Sequence, residues 1–358
     1  MAMANNKKVG VILASAVVLA VMPFLVGGAL GNSWVRILDF SLLYVMLALG
    51  LNMVVGFAGL LDLGFIAFYA VGAYTYGLLC SPHFGLHLPF YIAIPIGAAL
   101  AAFFGILLGT PVLRLKGDYL AIVTLGFGEI IRIFINNLNA PVNITNGPQG
   151  INLIDPIEVG GFSLGKTFEL FGLSFSNVYL YYYMFLALTV GVVIMAWRLQ
   201  HSRIGRAWVA LREDDIAAAA MGINIRNIKL LAFALGALSG GVAGGLFSAF
   251  QGFISPESFS LIESIMILAM IVLGGMGNIP GVILGAVMLT VAPEILRATI
   301  GPLQMAVFGK TLIDPENARM LLFGLAMVVM MLVRPEGAWP SKRRRMEFQD
   351  AKKGVTHG

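Results

Sequence analysis

Val178-Tyr-Leu-Tyr-Tyr-Tyr-Met-Phe-Leu-Ala-Leu-Thr-Val-Gly-Val-Val-Ile-Met-Ala-Trp-Arg198 gives way, after Leu199 and Gln200, to His201-Ser-Arg-Ile-Gly-Arg206-Ala-Trp-Val-Ala-Leu-Arg212-Glu213-Asp214-Asp215-Ile-Ala217-Ala218-Ala219-Ala220-Met221-Gly222. The first part carries no charge before its last residue. At about 1.5 Å per helical residue it is long enough to cross a hydrocarbon core of about 30 Å. The second part is polar and basic, with an acidic triplet ahead of an alanine run and a glycine behind it. A membrane helix that opens into a charged, helix-forming segment sets the terms on which the rest of the chain is read.

The whole chain fits that reading. Of its 358 residues, 59% are hydrophobic and 11% are charged, against about 25% charged in an average soluble domain. Mean hydropathy is +0.89. Too little polar surface remains to coat a water-soluble particle, so a soluble enzyme, a disordered chain and a nucleic-acid reader are all excluded. The net charge of +5 is small and scattered. One cysteine, Cys80, and four histidines rule out a disulfide framework and speak against a His/Cys metal site.

Hydropathy predicts an all-α polytopic bundle of about ten spans, at 9–30, 34–56, 59–80, 89–110, 118–138, 178–198, 230–253, 261–276, 281–299 and 317–334. Two junctions are apolar and glycine-rich: Gly56-Phe-Ala-Gly59 with Gly64 beyond it, and Gly274-Gly-Met-Gly277-Asn-Ile-Pro-Gly281. Either can be a re-entrant element, because non-helical backbone at membrane depth survives only inside protein or beside a water-filled path. Lys7-Lys8 before the first span suggest a signal peptide, but the run is longer than the usual ~7–15-residue core and is read as an uncleaved helix. With the N-terminus inside, most of the 23 Lys and Arg residues fall on one side, among them Arg114, Lys116, Arg203, Arg206 and Arg212. The expected layout is a cytoplasmic tail at 1–8, a membrane domain at 9–334 and a basic cytoplasmic tail at 335–358. Lys342 to Arg345 serve there as a topology anchor compatible with anionic lipid.

Two interior segments are long. The outer one, 139–177, is rich in Asn, Gly and Pro and reads as a connection made of turns. Within it Gly160-Gly-Phe-Ser-Leu-Gly-Lys166-Thr167 matches a phosphate-binding loop pattern. The surroundings lack the strand before it and the helix after it that such chemistry needs, so the match is set aside. The inner segment, 199–229, predicts a short amphipathic helix on the cytoplasmic face, closed by Gly222. A plain topology loop is the other reading, but it has no need of a four-alanine surface around which another protein's cleft could close.

Acidic–Ala–Ala followed by Gly, between two spans, resembles the EAA coupling loop of ABC importer permeases. Ala210 to Asn224 followed by Lys229-Leu-Leu-Ala-Phe is similar to the permeases of branched-chain amino acid importers. Three further stretches agree: Leu51-Asn-Met-Val-Val-Gly56-Phe-Ala-Gly59-Leu-Leu-Asp62-Leu-Gly64-Phe, Arg114-Leu-Lys-Gly-Asp-Tyr-Leu-Ala-Ile, and Leu273-Gly-Gly-Met-Gly-Asn-Ile-Pro-Gly281. The resemblance runs from residue 51 to about 285 and points to the larger of two paralogous permeases. It departs from the family at Asp62, where Ser or Asn is common. It implies a bacterial inner-membrane subunit that does no chemistry and carries no cofactor or metal. The implied partners are a second permease, two cytoplasmic ATP-binding subunits, a soluble outer binding protein and the lipid bilayer; nucleic acid is not among them. It also implies that Arg212, Glu213, Asp214, Ala217, Ala218 and Gly222 meet the ATPase.

A substrate bearing ammonium and carboxylate would want helix ends and unwound backbone. Gly56, Gly59, Asp62, Gly64, Gly274 and Gly277 at the two breaks are therefore the path candidates. Glu129 with Arg132 and Glu294 with Arg297 stand three apart, which suits mutual neutralisation or substrate contact. Asp39 and Glu263 lie near span ends, where water is expected to reach them. Gly236, Gly240, Gly241, Gly244 and Gly245 form a surface for close helix approach. His83 and His87 share an outer turn with no carboxylate nearby in sequence, which disfavours a metal site. Urea, short amides and other small acids stay open as substrates of the same importer type. A self-sufficient secondary transporter or channel is the rival class, with Asp62 and the Glu–Arg pairs as its ion path. A membrane-embedded enzyme is the third, but no base and nucleophile stand together.

Overall fold

Apolar runs away from water must satisfy their own amides, and here they coil into helices. The computed structural model describes residues 17–308 apart from 116, 171 and 172, and beyond them 324–325, 328–329, 332–334 and 337–339. In chain order the helices are α1 (Val17–Leu30), α2 (Asn32–Asn52), α3 (Ile66–Leu79), α4 (Phe90–Val112), α5 (Asp118–Asn137), α6 (Asn177–Gln200), α7 (Arg203–Glu213), α8 (Asp215–Ala220), α9 (Ile225–Gln251), α10 (Leu261–Gly274) and α11 (Ile279–Phe308). Among the described residues, six stretches are long and apolar enough to cross a membrane: Asn32–Phe57, Phe90–Val112, Asn177–Gln200, Ile225–Gln251, Pro256–Gly274 and Ile279–Thr299.

The remaining expected spans are modified or lie elsewhere. Residues 59–65 are not helical, and α3 has only 14 residues, about 21 Å of helix. The polypeptide before it is irregular but mostly buried, which is how non-helical backbone survives at depth. α5 is a full helix, but Asp118, Glu129 and Arg132 make it more polar than its neighbours. Of the span expected at 317–334 only 324–325, 328–329 and 332–334 are among the described residues, and of the two tails only 337–339.

α2 is the central post: 83% of its apolar window is buried, against 28% for α6 on the periphery. α3, α4 and α9 pack on one another through close backbone contacts at glycine. A Cβ on Gly72 would overlap the Gly241 carbonyl, and one on Gly241 would come 2.9 Å from Ala98 Cα. The glycine stripe of α9 is thus a packing surface, as expected for close helix approach.

Loop contacts sort the connections onto two ends of the bundle. At one end, β1 (Ile151–Asn152) pairs antiparallel with Phe253–Ile254 ahead of α10, Arg36 donates to Gln251 at 2.8 Å, and Arg132 lies 3.5 Å from Glu257. Three more short strands follow β1: β2 (Glu158–Val159), β3 (Phe162–Ser163) and β4 (Phe168–Leu170), with β5 (Leu173–Phe175) paired to β4 and β6 being Phe253–Ile254 itself. Gly160 and Gly161, both at positive φ, make the two-residue turn joining β2 to β3. The phosphate-loop pattern is therefore a hairpin tip. At the other end, Trp208 donates to Ile228 O at 2.9 Å, Lys229 to Leu113 O at 3.2 Å and Asn278 to Trp339 O at 2.7 Å. This partition matches the alternation expected from the placement of Lys and Arg.

Asp39 departs from expectation. It is fully buried in α2, and neither carboxylate oxygen meets a hydrogen-bond partner among the described residues. Its place near the start of the helix does not bring water, because α6 lies alongside α2. Glu263 behaves differently and accepts from the Tyr44 hydroxyl at 2.9 Å.

Candidate functional site

The segment after α6 folds as two short helices where one was expected. Ser202 Oγ accepts from Gly205 N–H at 3.2 Å and starts α7. Gly205, Trp208 and Leu211, three apart, form its buried face, while Arg203, Arg206, Arg212 and Glu213 are exposed. Trp208 anchors it: the indole stacks on Phe57, with ring centroids 6.4 Å apart. Asp214 then breaks the chain into β geometry and caps α8, accepting from Ile216 N–H at 2.8 Å and Ala217 N–H at 3.0 Å. Gly222, at φ +83°, ends α8. The Ile223 amide bonds Ala218 O at 3.1 Å and the Gly222 amide bonds Ala219 O at 3.0 Å, the two bonds of a Schellman cap.

The coupling candidates therefore take different places. Glu213, Ala217 and Gly222 are exposed, and Asp214 Oδ1 is engaged with the helix start. Ala218 is only 3% exposed and faces the bundle. Sequence reasoning missed the two most exposed apolar side chains beside them, Ile216 at 75% and Met221 at 83%. Their signal was an apolar residue at each end of the alanine run.

The two helix breaks meet at the same end. α2 finishes in a π turn, Met53–Phe57, a feature that often marks functional sites. Asn52 Oδ1 accepts from Gly277 N–H at 2.9 Å. A Cβ on Gly56 would lie 2.7 Å from that Gly277 nitrogen, so the approach needs glycine at Gly56, while Gly277 sits at φ +80°. Arg212 NH1 donates to Gly56 O at 2.8 Å, and Gln200 Nε2 donates to Gly277 O at 3.3 Å. The aliphatic stem of Arg212 fills the place where Gly59 would carry a side chain, with Cγ 2.6 Å from that position. Asn52, Gln200 and Trp208 were not singled out from sequence, although a lone amide in an apolar run and a tryptophan in a basic loop were visible signals.

The other path candidates do not join this junction. Gly64 packs on the Thr124 carbonyl, and Gly274 packs on the Gly281 carbonyl while accepting from the Trp339 amide at 3.0 Å. Asp62 is fully buried and turned onto its own loop, where Oδ1 accepts from Gly64 N–H at 2.9 Å. Beside the junction lies a cavity of about 420 Å³, walled by Gly59 and Leu60 on one side, by Arg212 to Ile216 on another, and by Leu115 and Lys229. It offers both signs of charge and apolar walls.

At the opposite end, Arg132 forms a two-pronged pair with Glu129, both nitrogens at 3.0 Å, while Arg297 and Glu294 stand 3.9 Å apart. His87 Nδ1 lies 2.6 Å from Asp155 Oδ2, so a carboxylate absent from the local sequence is supplied by the long loop. Among the described residues no group of three or more His, Cys, Asp or Glu could hold a metal ion.

A bundle of apolar helices, interrupted at one end by two touching breaks and bordered there by a capped amphipathic helix pair, defines a multi-pass integral membrane protein of the transport class. The family model described as branched-chain amino acid transport system / permease component matches residues 33–331, and the chain belongs to that family. It is 42% identical, over 94% of its length and 76% of the relative's, to the high-affinity branched-chain amino acid transport system permease protein LivM of Escherichia coli K12. It is 26% identical to the similarly named LivH of the same organism, over 82% of this chain and 90% of that one. It is also 26% identical to BraD of Pseudomonas aeruginosa, with the same coverages. No solved structure matches the chain.

Proposed function

We propose that this chain is the LivM-like one of two paralogous permease subunits in an ATP-driven importer, and that it forms part of the path for leucine, isoleucine and valine. The much higher identity to LivM than to LivH supports its place in the pair. The names of those relatives, permeases of branched-chain amino acid transport systems, support the substrate class. Two cytoplasmic ATP-binding subunits would supply hydrolysis, and a soluble outer binding protein would deliver the amino acid. The chain itself would carry no catalytic group. The protein sits in the bacterial inner membrane with both termini cytoplasmic, residues 9–334 forming the permease domain, 139–177 its outer loop and 199–229 its coupling loop.

One observation carries this reading. α8 is capped at both ends and turns Ile216, Ala217 and Met221 outward, while Trp208 fixes the preceding helix under the bundle. Exposed apolar side chains on an anchored rigid helix suit the cleft of a partner, whereas a channel or secondary transporter has no use for them. Deleting 210–222 should abolish co-purification of the ATP-binding subunit while the chain still reaches the membrane. Undiminished co-purification would refute the assignment. Uptake of urea or amides in place of leucine would move the substrate and leave the assembly intact.

A further inference from the structure

We propose that Arg212 is a positioning residue that latches the two helix breaks together, so that displacement of α7 and α8 releases them. The proposal rests on the importer reading above and names the element by which motion at the surface reaches the membrane.

Four observations converge on this side chain. The last turn of a helix leaves carbonyls without intrahelical partners, and the π turn that ends α2 presents one of them, Gly56 O, to the Arg212 guanidinium at 2.8 Å. The second break lies against the first: Gly277 N–H is held by Asn52 Oδ1, and NH1 of Arg212 is 3.6 Å from where a Gly277 Cβ would stand. The arginine stem occupies the space left by Gly59, whose φ of +71° favours glycine and whose missing Cβ makes room for the chain. Finally, Arg212 is the penultimate residue of α7, two positions before the Asp214 cap that starts the exposed α8. The guanidinium thus joins the outward surface to the meeting point of the breaks.

A hydrogen bond of 2.8 Å is lost once donor and acceptor part by less than an ångström. A small shift of the coupling helices is therefore enough to free Gly56 O. Gln200 and Asn52 would then hold Gly277 alone, and the cavity walled by Leu60 and Arg212 would open toward the breaks. A C-terminal cap for α2 with no part in coupling would use the same bond, so the test must read conformation as well as activity.

The test uses the complete importer in nanodiscs, with Leu60→Cys as reporter in a Cys80→Ser background and a membrane-impermeant maleimide as probe. Leu60 is 7% exposed and lines the cavity. In the otherwise unaltered importer, ATP is expected to raise the alkylation rate by about tenfold, the scale of an ordinary two-state shift. With Arg212→Ala the rate is expected to be high without ATP, and the amino acid moved per ATP hydrolysed to fall about fivefold or more. Arg212→Lys, which keeps one donor, should lie between. Asn52→Ala, which releases Gly277 without touching α7, should raise the rate in the same way and covers the case in which Arg212→Ala fails to assemble. An Arg212→Ala or Asn52→Ala importer as slow without ATP, and as responsive to it, as the parent overturns the latch. A parent importer that hydrolyses ATP and takes up leucine while its reporter ignores ATP likewise overturns the latch, whereas failure of the ATP-binding subunit and the binding protein to assemble with the chain overturns the importer reading.

Discussion

Replacing Asp214 with alanine separates two roles that one carboxylate could fill. The resemblance to importer permeases implies a charged contact with the ATPase, whereas the structure shows Oδ1 accepting from Ile216 N–H at 2.8 Å and Ala217 N–H at 3.0 Å. Loss of such a cap costs about 0.5–2 kcal/mol. α8 has only six residues, far below the length at which a helix holds itself together in water. Apart from the Gly222 cap at its far end little else secures it, since Ala218 is its one buried side chain. One to two kcal/mol is about a 5- to 30-fold change in the helix population. If the ATPase docks on the formed helix, affinity falls by up to the same factor once the open form predominates. Asp214→Asn keeps the acceptor and removes the charge, so it should bind within about twofold of the parent. Hydrogen exchange of the 216–222 amides and titration of the ATP-binding subunit onto the nanodisc-embedded permease would read both quantities. Equal weakening by Asn and Ala would refute the capping argument and install the charge. Unchanged amide exchange in the alanine variant would refute the claim that the cap holds α8.

The other expectations address packing, charge and docking. Gly72→Val should cost at least the ~1–3 kcal/mol of overpacking, because its Cβ would overlap the Gly241 carbonyl, while Gly126→Ala, with nothing within 4 Å, should be silent; thermal melting of the purified chain compares them. Asp39→Asn should leave stability unchanged or raise it, since an unpaired carboxylate within a membrane helix costs about 2.5–3.5 kcal/mol on insertion scales; a lower melting temperature would show that a partner binds the carboxylate. Gly222→Asp and Glu213→Lys alter charge on exposed positions beside α8, and both should abolish leucine uptake while the chain is still recovered from membranes at the parent level.

Span positions were legible because a lipid-embedded backbone must coil wherever side chains are apolar. The run at 34–56 corresponds to α2 and its π turn within about two residues. The 59–80 span misled because hydropathy does not register backbone, and Gly59 and Gly64 keep 58–65 out of helix while their apolar neighbours score as membrane. α7 was hidden because Trp208 and Leu211 are its main apolar anchors among arginines. The acidic triplet read as one helix start, yet Glu213 ends α7, Asp214 caps and Asp215 begins α8.

Glycine and proline revealed both breaks. Their contact could not be read, since Asn52 and Gly277 are 225 residues apart and Arg212 and Gly56 are 156 apart. Packing of α10 and α11 on α2, and of α7 against the π turn, brings them together. A separation of 68 residues likewise concealed the Asp155 carboxylate from His87.

The central claim is that this chain transports only as one part of a machine driven by ATP. The direct measurement is accumulation of labelled leucine in proteoliposomes containing the chain, its paralogous permease, the ATP-binding subunits and the liganded binding protein. Uptake against the gradient is expected, requiring ATP and stopping when any one component is left out. Accumulation by this chain alone, driven by a proton or sodium gradient without ATP, would contradict the claim.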